Sequence, residues 1–422
     1  MDMESDPWKG YRTLASEVGL RSSVVDTARY TSAEFYEAEC EKIFRRAWLL
    51  VGRESEVPNK GDFIMRTIPP LKAEAIIVRG HDGEVRAFHN ACAHRGATLV
   101  EQCEGNTKLF ICPYHAWSYG TDGRCKAMPG SEFFPQINKG EIGLAPIHAD
   151  IWNGFVFLNF DEKPRQTLQE FLGEFGETYG DIPFNEFSHA VEYAVDVETN
   201  WKCLLDAFGE GYHVSTIHRQ SLPMVPSKAN PFNVFYDVRF WPPHFSFITQ
   251  SNPEWLPHGE VARFLYAGTG STFVGASTES PADEPKATKL TDCESLNPIG
   301  LPNFGLTTLS MFPATWLFVF EDRYFIQQFW PLGVDRTRLV MRFYFRSAPS
   351  SYFEEFAEAN LFASGRDVVS EDVAMTSRQQ RGLNGRGVSQ LQLGENELLL
   401  RFTHEAIDAW LDDDGPGPPN LV

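Results

Sequence analysis

The 422-residue sequence predicts an α+β protein with an all-β domain toward its N-terminus and a second domain built on a large antiparallel sheet flanked by helices. Short β-rich runs separated by turns fill residues 50–160, and long aromatic runs alternate with helical patterns further on. The length suffices for two or three domains, each with its own core. We expect an N-terminal helical segment over 1–48 that packs on the C-terminal domain, the all-β domain over 49–161 and the C-terminal domain over 162–422.

The individual elements follow from the periodicity of the apolar residues. A Thr-Ser start and spaced apolar side chains predict a helix over 31–49. Strands of the all-β domain are expected at 61–68, 74–80, 84–90 and 154–160, with HDG and TDG turns between the runs. The elements expected in the C-terminal domain are a strand at 192–198, a helix from Asn200, strands at 232–241, 245–249, 316–331 and 338–346, and helices at about 351–381 and 396–411.

Two segments lack any periodic pattern. Residues 276–300 are polar and contain proline, and long segments of this kind are often lids or disordered insertions. The tail DDDGPGPPNLV cannot continue a helix, because its prolines and glycines interrupt one. No internal repeat is evident.

The composition restricts the partners and the compartment. The net charge of −20, from 37 basic and 57 acidic residues, repels nucleic acid and anionic membranes, and it excludes nucleic-acid binding. No apolar run approaches the length needed to span a bilayer. The seven cysteines are an odd, scattered set, and the start MDMESDPWKG does not resemble a signal peptide. We therefore expect a reduced, cytoplasmic protein without a disulfide framework.

The most informative pattern consists of two half-motifs, Cys92-x-His94 and Cys112-x2-His115, in the β-rich part of the chain. Each half-motif supplies one thiol and one imidazole, which suits a [2Fe–2S] cluster with both cysteines on one iron and both histidines on the other. A structural zinc is the alternative, because two cysteines and two histidines often bind zinc. Zinc loops more often pair Cys with Cys, so the mixed loops favour the iron–sulfur cluster.

A second group of metal-binding side chains lies near the middle of the sequence. His213 and His218 stand five residues apart on what begins as a helix, and a regular helix would turn them about 140° apart. A helix end or a π-bulge around 214–216 would allow both rings to bind one ion. Glu210 precedes His213 by three residues, and Asp206 precedes it by seven.

A third ligand is expected from the helix predicted near the C-terminus. This helix carries three acidic residues, Asp367, Glu371 and Asp372. Two imidazoles and one carboxylate on one side of Fe(II) leave positions open for O2 and substrate. A solvated helix face is the alternative interpretation for each acid considered alone.

These patterns together resemble the α subunit of Rieske non-heme iron oxygenases, also called aromatic-ring-hydroxylating oxygenases. The resemblance covers nearly the whole chain and rests on these phrases in this order: EKIFRRAWLLVGRESEVPNKGDF, NACAHRGATL, CPYHAWSY, NWKCLLDAFGEGYHVSTIH and SEDVAMTSRQQRGL. It implies that the all-β domain is a Rieske [2Fe–2S] domain. It also implies that the C-terminal domain is a catalytic domain of the helix-grip kind, with a mononuclear iron.

The resemblance also implies roles for individual residues. The cluster ligands are Cys92, His94, Cys112 and His115, and the ligands of the mononuclear iron are His213, His218 and Asp372. Asp372 is preferred to Glu371 because it aligns with the ligand position of the family's acidic-pair helix.

Two acidic residues are expected to act in catalysis. Glu210 falls on the carboxylate that, in the family, links a cluster histidine of one subunit to an iron-binding histidine of its neighbour. Asp206-Ala207 occupies the place of a Glu-Asn dipeptide, so the acid is kept and the amide is missing.

The implied activity is that of a terminal oxygenase component. It would use O2 and electrons from a ferredoxin or an NAD(P)H-dependent reductase to hydroxylate or dihydroxylate an aromatic or alicyclic small molecule, and it would form a homotrimer or an α3β3 hexamer. N- or O-demethylation, for instance of a quaternary amine held by aromatic rings, is the alternative within the family. A non-enzymatic Rieske electron carrier or a zinc-binding module is the alternative from another class. Leu204, Phe208, Ile217 and the strand near 304–316 are candidate pocket residues.

Overall fold

The computed structural model describes residues 9–20, 23–225, 227–228, 230–252, 254–255, 257, 259–261, 263–264 and 290–412. Most of the segment expected to be a lid or insertion, and nearly all of the tail, lie outside the described residues. The chain divides into two compact units. One consists of Glu39–Leu172, and the described part of the other consists of residues 9–38 and 173–412.

The helices of the described residues are α1 (Lys9–Glu17), α2 (Ala28–Thr31), α3 (Ala33–Glu39), α4 (Leu168–Thr178), α5 (Trp201–Phe208), α6 (Val214–Ile217), α7 (Tyr352–Asn384) and α8 (Leu398–Asp412). A π-helical turn, Cys40–Phe44, follows α3, so the helix expected over 31–49 ends early and a strand already begins at Leu49. Among the helices of the described part of the chain, none is both long enough and apolar enough to cross a bilayer.

The strands are β1 (Val24–Asp26), β2 (Leu49–Arg53), β3 (Asp62–Ile68), β4 (Ala73–Arg79), β5 (Val85–His89), β6 (Glu104–Asn106), β7 (Leu109–Ile111), β8 (Ser118–Gly120), β9 (Cys125–Ala127), β10 (Pro146–Trp152), β11 (Phe155–Asn159), β12 (His189–Val197), β13 (Tyr236–Trp241), β14 (His244–Gln250), β15 (Phe304–Met311), β16 (Thr315–Val319), β17 (Tyr324–Gly333), β18 (Arg336–Phe345) and β19 (Gln390–Gln392). The prediction of one strand over 316–331 is wrong. This run forms two strands, β16 and β17, joined by a turn, because the polar pair Glu321-Asp322 interrupts the apolar residues.

The smaller unit is all-β apart from short helical turns. Its strands form one seven-stranded sheet in the order β2-β11-β10-β5-β4-β3-β6 and one three-stranded sheet in the order β7-β8-β9. A hydrophobic cluster that includes Phe88, Phe110 and Trp117 also contains Cys92 and Cys112. The two cysteines of the half-motifs are therefore anchored in the core, although the loops that carry them are largely exposed.

The larger unit contains a seven-stranded antiparallel sheet in the order β12-β18-β17-β16-β15-β14-β13. Its strand register aligns two rows of side chains across the sheet. The first row is Tyr193, Met341, Gln327, Trp316, Ser310 and Phe245, and the second is Val191, Phe343, Phe325, Phe318, Thr308 and Phe247. Members of the two rows stand two residues apart on each strand, so both rows lie on the same face.

Helices α5 and α7 are tied together by the residues at the beginning of α5. The Asn200 side chain accepts a hydrogen bond from the backbone N–H of Lys202 at 3.0 Å and so caps α5. The backbone N–H of Asn200 in turn donates to Gln380 Oε1 of α7 at 2.8 Å. The Thr199 hydroxyl donates to the carbonyl of Thr376 at 3.2 Å. These contacts hold α5 against α7. The segment that follows α5 carries His213 and His218, and α7 itself carries Asp372.

Candidate metal centres and active site

The first half-motif lies on a tight turn that begins at Cys92. The backbone N–H of Gly96 donates to the carbonyl of Cys92 at 2.8 Å, and the N–H of Cys92 donates to the carbonyl of Ala97 at 2.8 Å. Gly96 has a φ of 72°, in the left-handed region that glycine adopts without strain. The turn therefore closes on itself and holds the segment from Cys92 to His94 in one conformation.

The second half-motif repeats this arrangement. The N–H of Ala116 donates to the carbonyl of Cys112 at 3.0 Å, and the N–H of Cys112 donates to the carbonyl of Trp117 at 2.8 Å. Ala116 occupies the position equivalent to Gly96 and has a φ of 56°, which is strained for a residue with a β-carbon. Two turns of the same design thus present the four expected cluster ligands.

The imidazoles of the two turns lie close together. The ring centroids of His94 and His115 are 4.6 Å apart, and His94 stacks on Trp117 at 4.8 Å. The Nδ1 atoms of both histidines are buried, and no group of the described residues forms a hydrogen bond with them. Burial, together with the nearby His115 and Arg95, lowers the pKa of His94, which favours the neutral ring that binds metals.

The cysteines of the two turns fit the same interpretation. Cys92 and Cys112 are buried and free, and the Cys92 sulfur lies 3.1 Å from the Tyr119 hydroxyl. That hydroxyl also accepts a hydrogen bond from the N–H of Ala93 at 3.1 Å. Two thiols and two buried, unpartnered imidazole nitrogens are a donor set that fits a [2Fe–2S] cluster.

A break in the central helix lies before both expected iron ligands. Helix α5 ends at Phe208, and the one-turn helix α6 has His213 at its N-terminal cap position and His218 at its C-terminal one. Of the two expected distortions, the π-bulge at 214–216 is not formed, whereas a helix end does lie between the two histidines, at Ile217. At Gly211 an added β-carbon would lie 2.2 Å from the carbonyl oxygen of Asn233, so the break before His213 requires glycine.

His213, His218 and Asp372 converge as a possible metal site. One nitrogen of each ring and one carboxylate oxygen lie within 4.8 Å of one another. Asp372 Oδ1 is 2.9 Å from His218 Nε2 and 3.5 Å from His213 Nε2. The other carboxylate oxygen of Asp372 finds no hydrogen-bond partner in the described part of the chain, and the residue is only 2 % exposed. A buried carboxylate beside two imidazoles fits a bound cation.

Each histidine of this site is held from behind by a glutamate. Glu210 Oε1 lies 2.5 Å from His213 Nδ1, and Glu371 Oε2 lies 2.7 Å from His218 Nδ1. Because a carboxylate can only accept, each glutamate holds a proton at Nδ1 of its histidine, and Nε2 is the nitrogen that faces Asp372 and would bind a metal. Ser221 donates to Glu371 Oε2 at 2.5 Å and fixes the position of this second glutamate.

Two opposing effects act on the pKa of His218: burial of the ring and the two neighbouring carboxylates. Burial alone would lower its pKa, but the hydrogen bonds and charges of Asp372 and Glu371 outweigh burial and raise that pKa. Two carboxylates thus provide a strongly negative environment around the ring. A cation bound at Nε2 would be stabilised by the same charges.

The three converging side chains line a cavity with an empty volume of about 710 Å³. Its walls are mostly aromatic and aliphatic, and they come from the segment after α5, from α7 and from the face of the large sheet that carries the two rows. The apolar lining residues are Ala207, Phe208, Val214, Leu222, Val225, Phe235, Phe247, Leu306, Phe318, Phe320, Phe325, Met341, Val368 and Val369. This composition, mostly apolar with a few convergent polar groups, is typical of a small-molecule site.

The pocket residues expected from the sequence are only partly those of the structure. Phe208 lines the cavity, as do Leu306 and Thr308 of the expected strand. Leu204 and Ile217 are not among the lining residues that the structure describes. Leu204 is fully buried.

Asp206 and Asp367 lie elsewhere. The Tyr30 hydroxyl donates to Asp206 Oδ2 at 2.7 Å, and His404 Nε2 lies 3.1 Å from the other carboxylate oxygen. Asp206 therefore belongs to a buried polar cluster, and it is not among the described residues that line the cavity. Asp367 is exposed and pairs with Arg366. The structure thus brings Glu210, but not Asp206, next to the expected iron ligands.

Some residues of the site were not expected from the sequence. The contact of Glu371 with His218 joins residues 153 positions apart, so no local pattern indicates it. Gln327 and Thr308 are polar, fully buried and part of the cavity wall. A glutamine inside the apolar run YFIQQFW is the signal that sequence reasoning overlooked.

Comparison with known families agrees with this architecture. Residues 184–413 match the family described as the ring hydroxylating alpha subunit (catalytic domain), and residues 47–138 match the Rieske [2Fe–2S] domain. The fold and the two donor sets define a Rieske-type non-heme iron oxygenase subunit. The chain belongs to the family of ring-hydroxylating oxygenase α subunits, whose centres are a [2Fe–2S] cluster and a mononuclear iron that uses O2.

Individual relatives include enzymes of two kinds. The chain is 36% identical to the large subunit of anthranilate 1,2-dioxygenase of Acinetobacter baylyi over 196 residues, which cover 45% of this chain and 41% of the relative. It is 31% identical to the oxygenase subunit of glycine betaine monooxygenase of Pseudomonas aeruginosa over 193 residues, or 46% of this chain and 44% of the relative. The chain thus spans less than half the length of these two relatives.

Solved structures share the fold along nearly the whole chain. Naphthalene 1,2-dioxygenase from Rhodococcus sp. bound to indole superposes with a TM-score of 0.72 at 20% identity, covering 97% of this chain and 99% of the other. A quaternary ammonium Rieske monooxygenase in complex with L-carnitine superposes with a TM-score of 0.68 at 21% identity, covering 90% and 94%. These comparisons confirm the predicted combination of a Rieske domain with a catalytic domain built on a large antiparallel sheet.

Proposed function

We propose that this chain is the terminal oxygenase component of a multicomponent Rieske oxygenase, and that it hydroxylates or dihydroxylates an aromatic or alicyclic compound with O2. The observation that carries the proposal is the convergence of His213, His218 and Asp372 within 4.8 Å on the wall of a largely apolar cavity. A site of this kind joins a place for a metal to a place for an apolar substrate. A non-enzymatic carrier or a zinc-binding module would need neither the cavity nor the second ligand set.

The side chains around the cavity have distinct proposed tasks. His213, His218 and Asp372 would hold an iron ion, which would supply the oxygen chemistry. Glu210 and Glu371 hold the protons at Nδ1 of His213 and His218, which keeps both Nε2 atoms directed at the ion. The apolar wall orients the substrate and excludes water from the reacting atoms.

The Rieske domain is proposed to supply electrons. Cys92, His94, Cys112 and His115 would hold the cluster, and a ferredoxin or an NAD(P)H-dependent reductase would reduce it. The turns that carry these ligands are largely exposed, and Tyr114 beside His115 has 59 % of its surface accessible. An exposed rim of this kind suits the docking of an electron donor.

A homotrimer or an α3β3 hexamer is the proposed assembly, and Glu210 is proposed to link the iron site to a cluster histidine of a neighbouring subunit. Support comes from the family resemblance and from the contact between Glu210 and His213. The catalytic role of Asp206 and the domain limits 49–161 and 162–422 also stay predictions. A cytoplasmic location stays a prediction too, supported by the absence of a disulfide among the described residues.

The second candidate function is N-demethylation of a quaternary amine. It is favoured by relatives and structural neighbours that are named as glycine betaine and quaternary ammonium monooxygenases. The phenylalanine rings of the cavity offer faces that attract a trimethylammonium group. Among the lining residues that the structure describes, however, no lysine or arginine is present to pair with the carboxylate of a betaine.

The two functions are separated by a turnover assay with a donor system. The purified protein is supplied with NADH, a reductase and a ferredoxin, and O2 uptake is measured with naphthalene, biphenyl and glycine betaine. We expect hydroxylated products from an aromatic compound and no formaldehyde from the betaine. Formaldehyde release with the betaine alone would contradict the aromatic proposal. Asp372→Ala, which removes a proposed iron ligand, should abolish turnover in this assay. Asp367→Ala is its matched control, because Asp367 lies on the exposed face of α7.

A further inference from the structure

We propose that the side-chain amide of Gln327 forms hydrogen bonds with a neutral polar substituent of the substrate. Thr308 would contact a second part of the same molecule. The substrate is then an aromatic compound that carries a hydroxyl or carboxamide group, and neither a plain hydrocarbon nor an aromatic acid. This inference rests on the proposed function, because it takes the cavity to be the substrate pocket.

The first observation is that both side chains are buried and unpartnered. Gln327 and Thr308 are 0% exposed, and the amide nitrogen and oxygen of Gln327 and the hydroxyl of Thr308 have no hydrogen-bond partner among the described residues. Both residues line the cavity. Buried polar groups are nearly always hydrogen-bonded, so a fully buried amide with both ends unpaired requires a partner that the chain itself does not supply.

Neighbouring polar residues show that the chain normally meets this requirement. Thr307, next to Thr308, donates to the carbonyl of Leu296 at 2.5 Å. Gln328, next to Gln327, donates to the Thr315 hydroxyl at 3.2 Å. The unpaired groups are therefore those that point into the cavity, and their neighbours on the other face are paired.

The strand register explains why no protein group reaches the Gln327 amide. Trp316 and Met341 flank Gln327 across the two neighbouring strands, and both are apolar at that point. Thr308 lies between Phe247 and Phe318 in the next row. Gln327 and Thr308 are separated by two strand spacings across the sheet and two residues along it, so their Cα atoms are roughly 12 Å apart and they would contact different parts of one molecule.

The charge of the lining determines the kind of substituent. Among the lining residues that the structure describes, the charged or titratable side chains are Glu210, His213, His218 and Asp372, all at the metal end. A substrate carboxylate near Gln327 would be buried without a counter-ion, which is costly. The amide both donates and accepts, so a neutral hydroxyl or carboxamide satisfies it fully.

The test compares three probes on the anaerobic holoenzyme: naphthalene, 2-naphthol and 2-naphthoate. Dissociation constants are measured by calorimetry for the wild type, Gln327→Met, Thr308→Val and the control Gln328→Met. In the wild type, 2-naphthol should bind about tenfold more tightly than naphthalene, and 2-naphthoate should bind most weakly. Gln327→Met should abolish the preference for 2-naphthol while naphthalene still binds, which also shows that the cavity is folded.

The control and the second variant define the other outcomes. Gln328→Met should leave all three constants unchanged, and Thr308→Val should keep the preference for 2-naphthol, because 2-naphthol carries no second polar group for Thr308 to contact. An unchanged preference in Gln327→Met would overturn the proposal and would mean that water alone satisfies the amide. Equal binding and turnover of naphthalene and 2-naphthol in the wild type would overturn it too, but would leave the proposed oxygenase function intact. Absence of both binding and turnover for all three would overturn both.

Discussion

The proposed cluster turns and the proposed iron site are built in opposite ways. Each cluster turn takes a cysteine and a histidine from at most four consecutive residues and closes with its own backbone hydrogen bonds. The iron site joins His218 to Asp372 across 154 positions of sequence and buries both to 2 % exposure. The first design is local and exposed, whereas the second depends on the packing of two helices.

The difference corresponds to two different chemical needs. A centre that only receives and passes electrons benefits from a rigid, accessible mount, because a donor protein must approach it. A centre that handles O2 and substrate benefits from enclosure, because water must be kept from the reacting atoms. The glutamates behind both iron-site histidines have no counterpart among the described contacts of the cluster histidines, whose Nδ1 atoms are unpartnered.

The largest effect is expected for Asp372→Ala, which tests the long-range design. Removing the buried carboxylate takes away one of three ligands, so mononuclear iron should be lost and turnover should fall by at least about 100-fold. The electron paramagnetic resonance signal of the reduced cluster should survive, since the cluster turns do not depend on α7. Unchanged iron stoichiometry in this variant, with loss in Glu371→Ala, would assign the ligand role to Glu371.

A comparable but opposite effect is expected for Cys112→Ser, which tests the local design. Serine lacks the soft thiolate that the cluster requires, so the visible absorption of the cluster should disappear while the mononuclear iron remains. Cys125→Ser is the matched control, because Cys125 is also buried in the core of the same domain. If both variants keep the red-brown colour, the proposed cluster ligands are wrong.

A smaller effect is expected for Glu210→Gln. The variant keeps the size of the side chain but removes the charge that holds the Nδ1 proton of His213, so both metals should remain while product formation slows about 10- to 100-fold. Single-turnover experiments with pre-reduced cluster separate electron transfer from steady-state catalysis. Electron transfer at the wild-type rate would contradict the bridging role of Glu210.

Glu371→Gln should have a weaker effect than Glu210→Gln. The Glu371 side chain is 36 % exposed against 11 % for Glu210, so solvent screens its charge more strongly. Iron affinity, measured by competition with a chelator, should fall by no more than about tenfold. A larger loss of iron affinity in Glu371→Gln than in Glu210→Gln would mean that solvent exposure does not determine which glutamate contributes more to iron binding.

The smallest effects are expected for substitutions of Gly96 and Ala116, which occupy equivalent positions in the two cluster turns. Their effects on the free energy of unfolding compare the two turns directly. Gly96→Ala introduces a β-carbon at a φ of 72° and should reduce the free energy of unfolding by about 1 kcal/mol. Ala116→Gly removes the corresponding strain and should raise it by less, about 0.5 kcal/mol, because glycine also gains freedom in the unfolded chain. Denaturant unfolding of the cluster-loaded protein checks both changes, and shifts of the same sign would contradict the equivalence.

The contrast between the two regions also explains what could be predicted from the sequence. The cluster half-motifs are local, so their spacing alone indicates an iron–sulfur site. The proposed iron site required the family resemblance, because spacing cannot show which acid of α7 lies beside Nε2 of both histidines and which lies behind His218 at Nδ1. The position of the helix break before His213 depends on the close approach of Gly211 to Asn233, which is a tertiary contact.

The polar end of the cavity lay beyond sequence reasoning for a related reason. The run YFIQQFW contains two adjacent glutamines, and alternation along a strand predicts that only one faces inward. Which one does so is set by the pairing of Gln327 with Trp316 and Met341. The large sheet itself was predicted correctly, since its aromatic strands are long and strongly periodic.

The central claim is that one chain holds two separate iron centres, and the ratio of iron to acid-labile sulfide tests it most directly. Both are measured on the anaerobically purified wild-type protein. We predict about three iron atoms for every two sulfides, because a [2Fe–2S] cluster accounts for two irons and His213, His218 and Asp372 hold the third. Equal amounts of iron and sulfide would contradict the second centre, and zinc without sulfide would contradict the cluster.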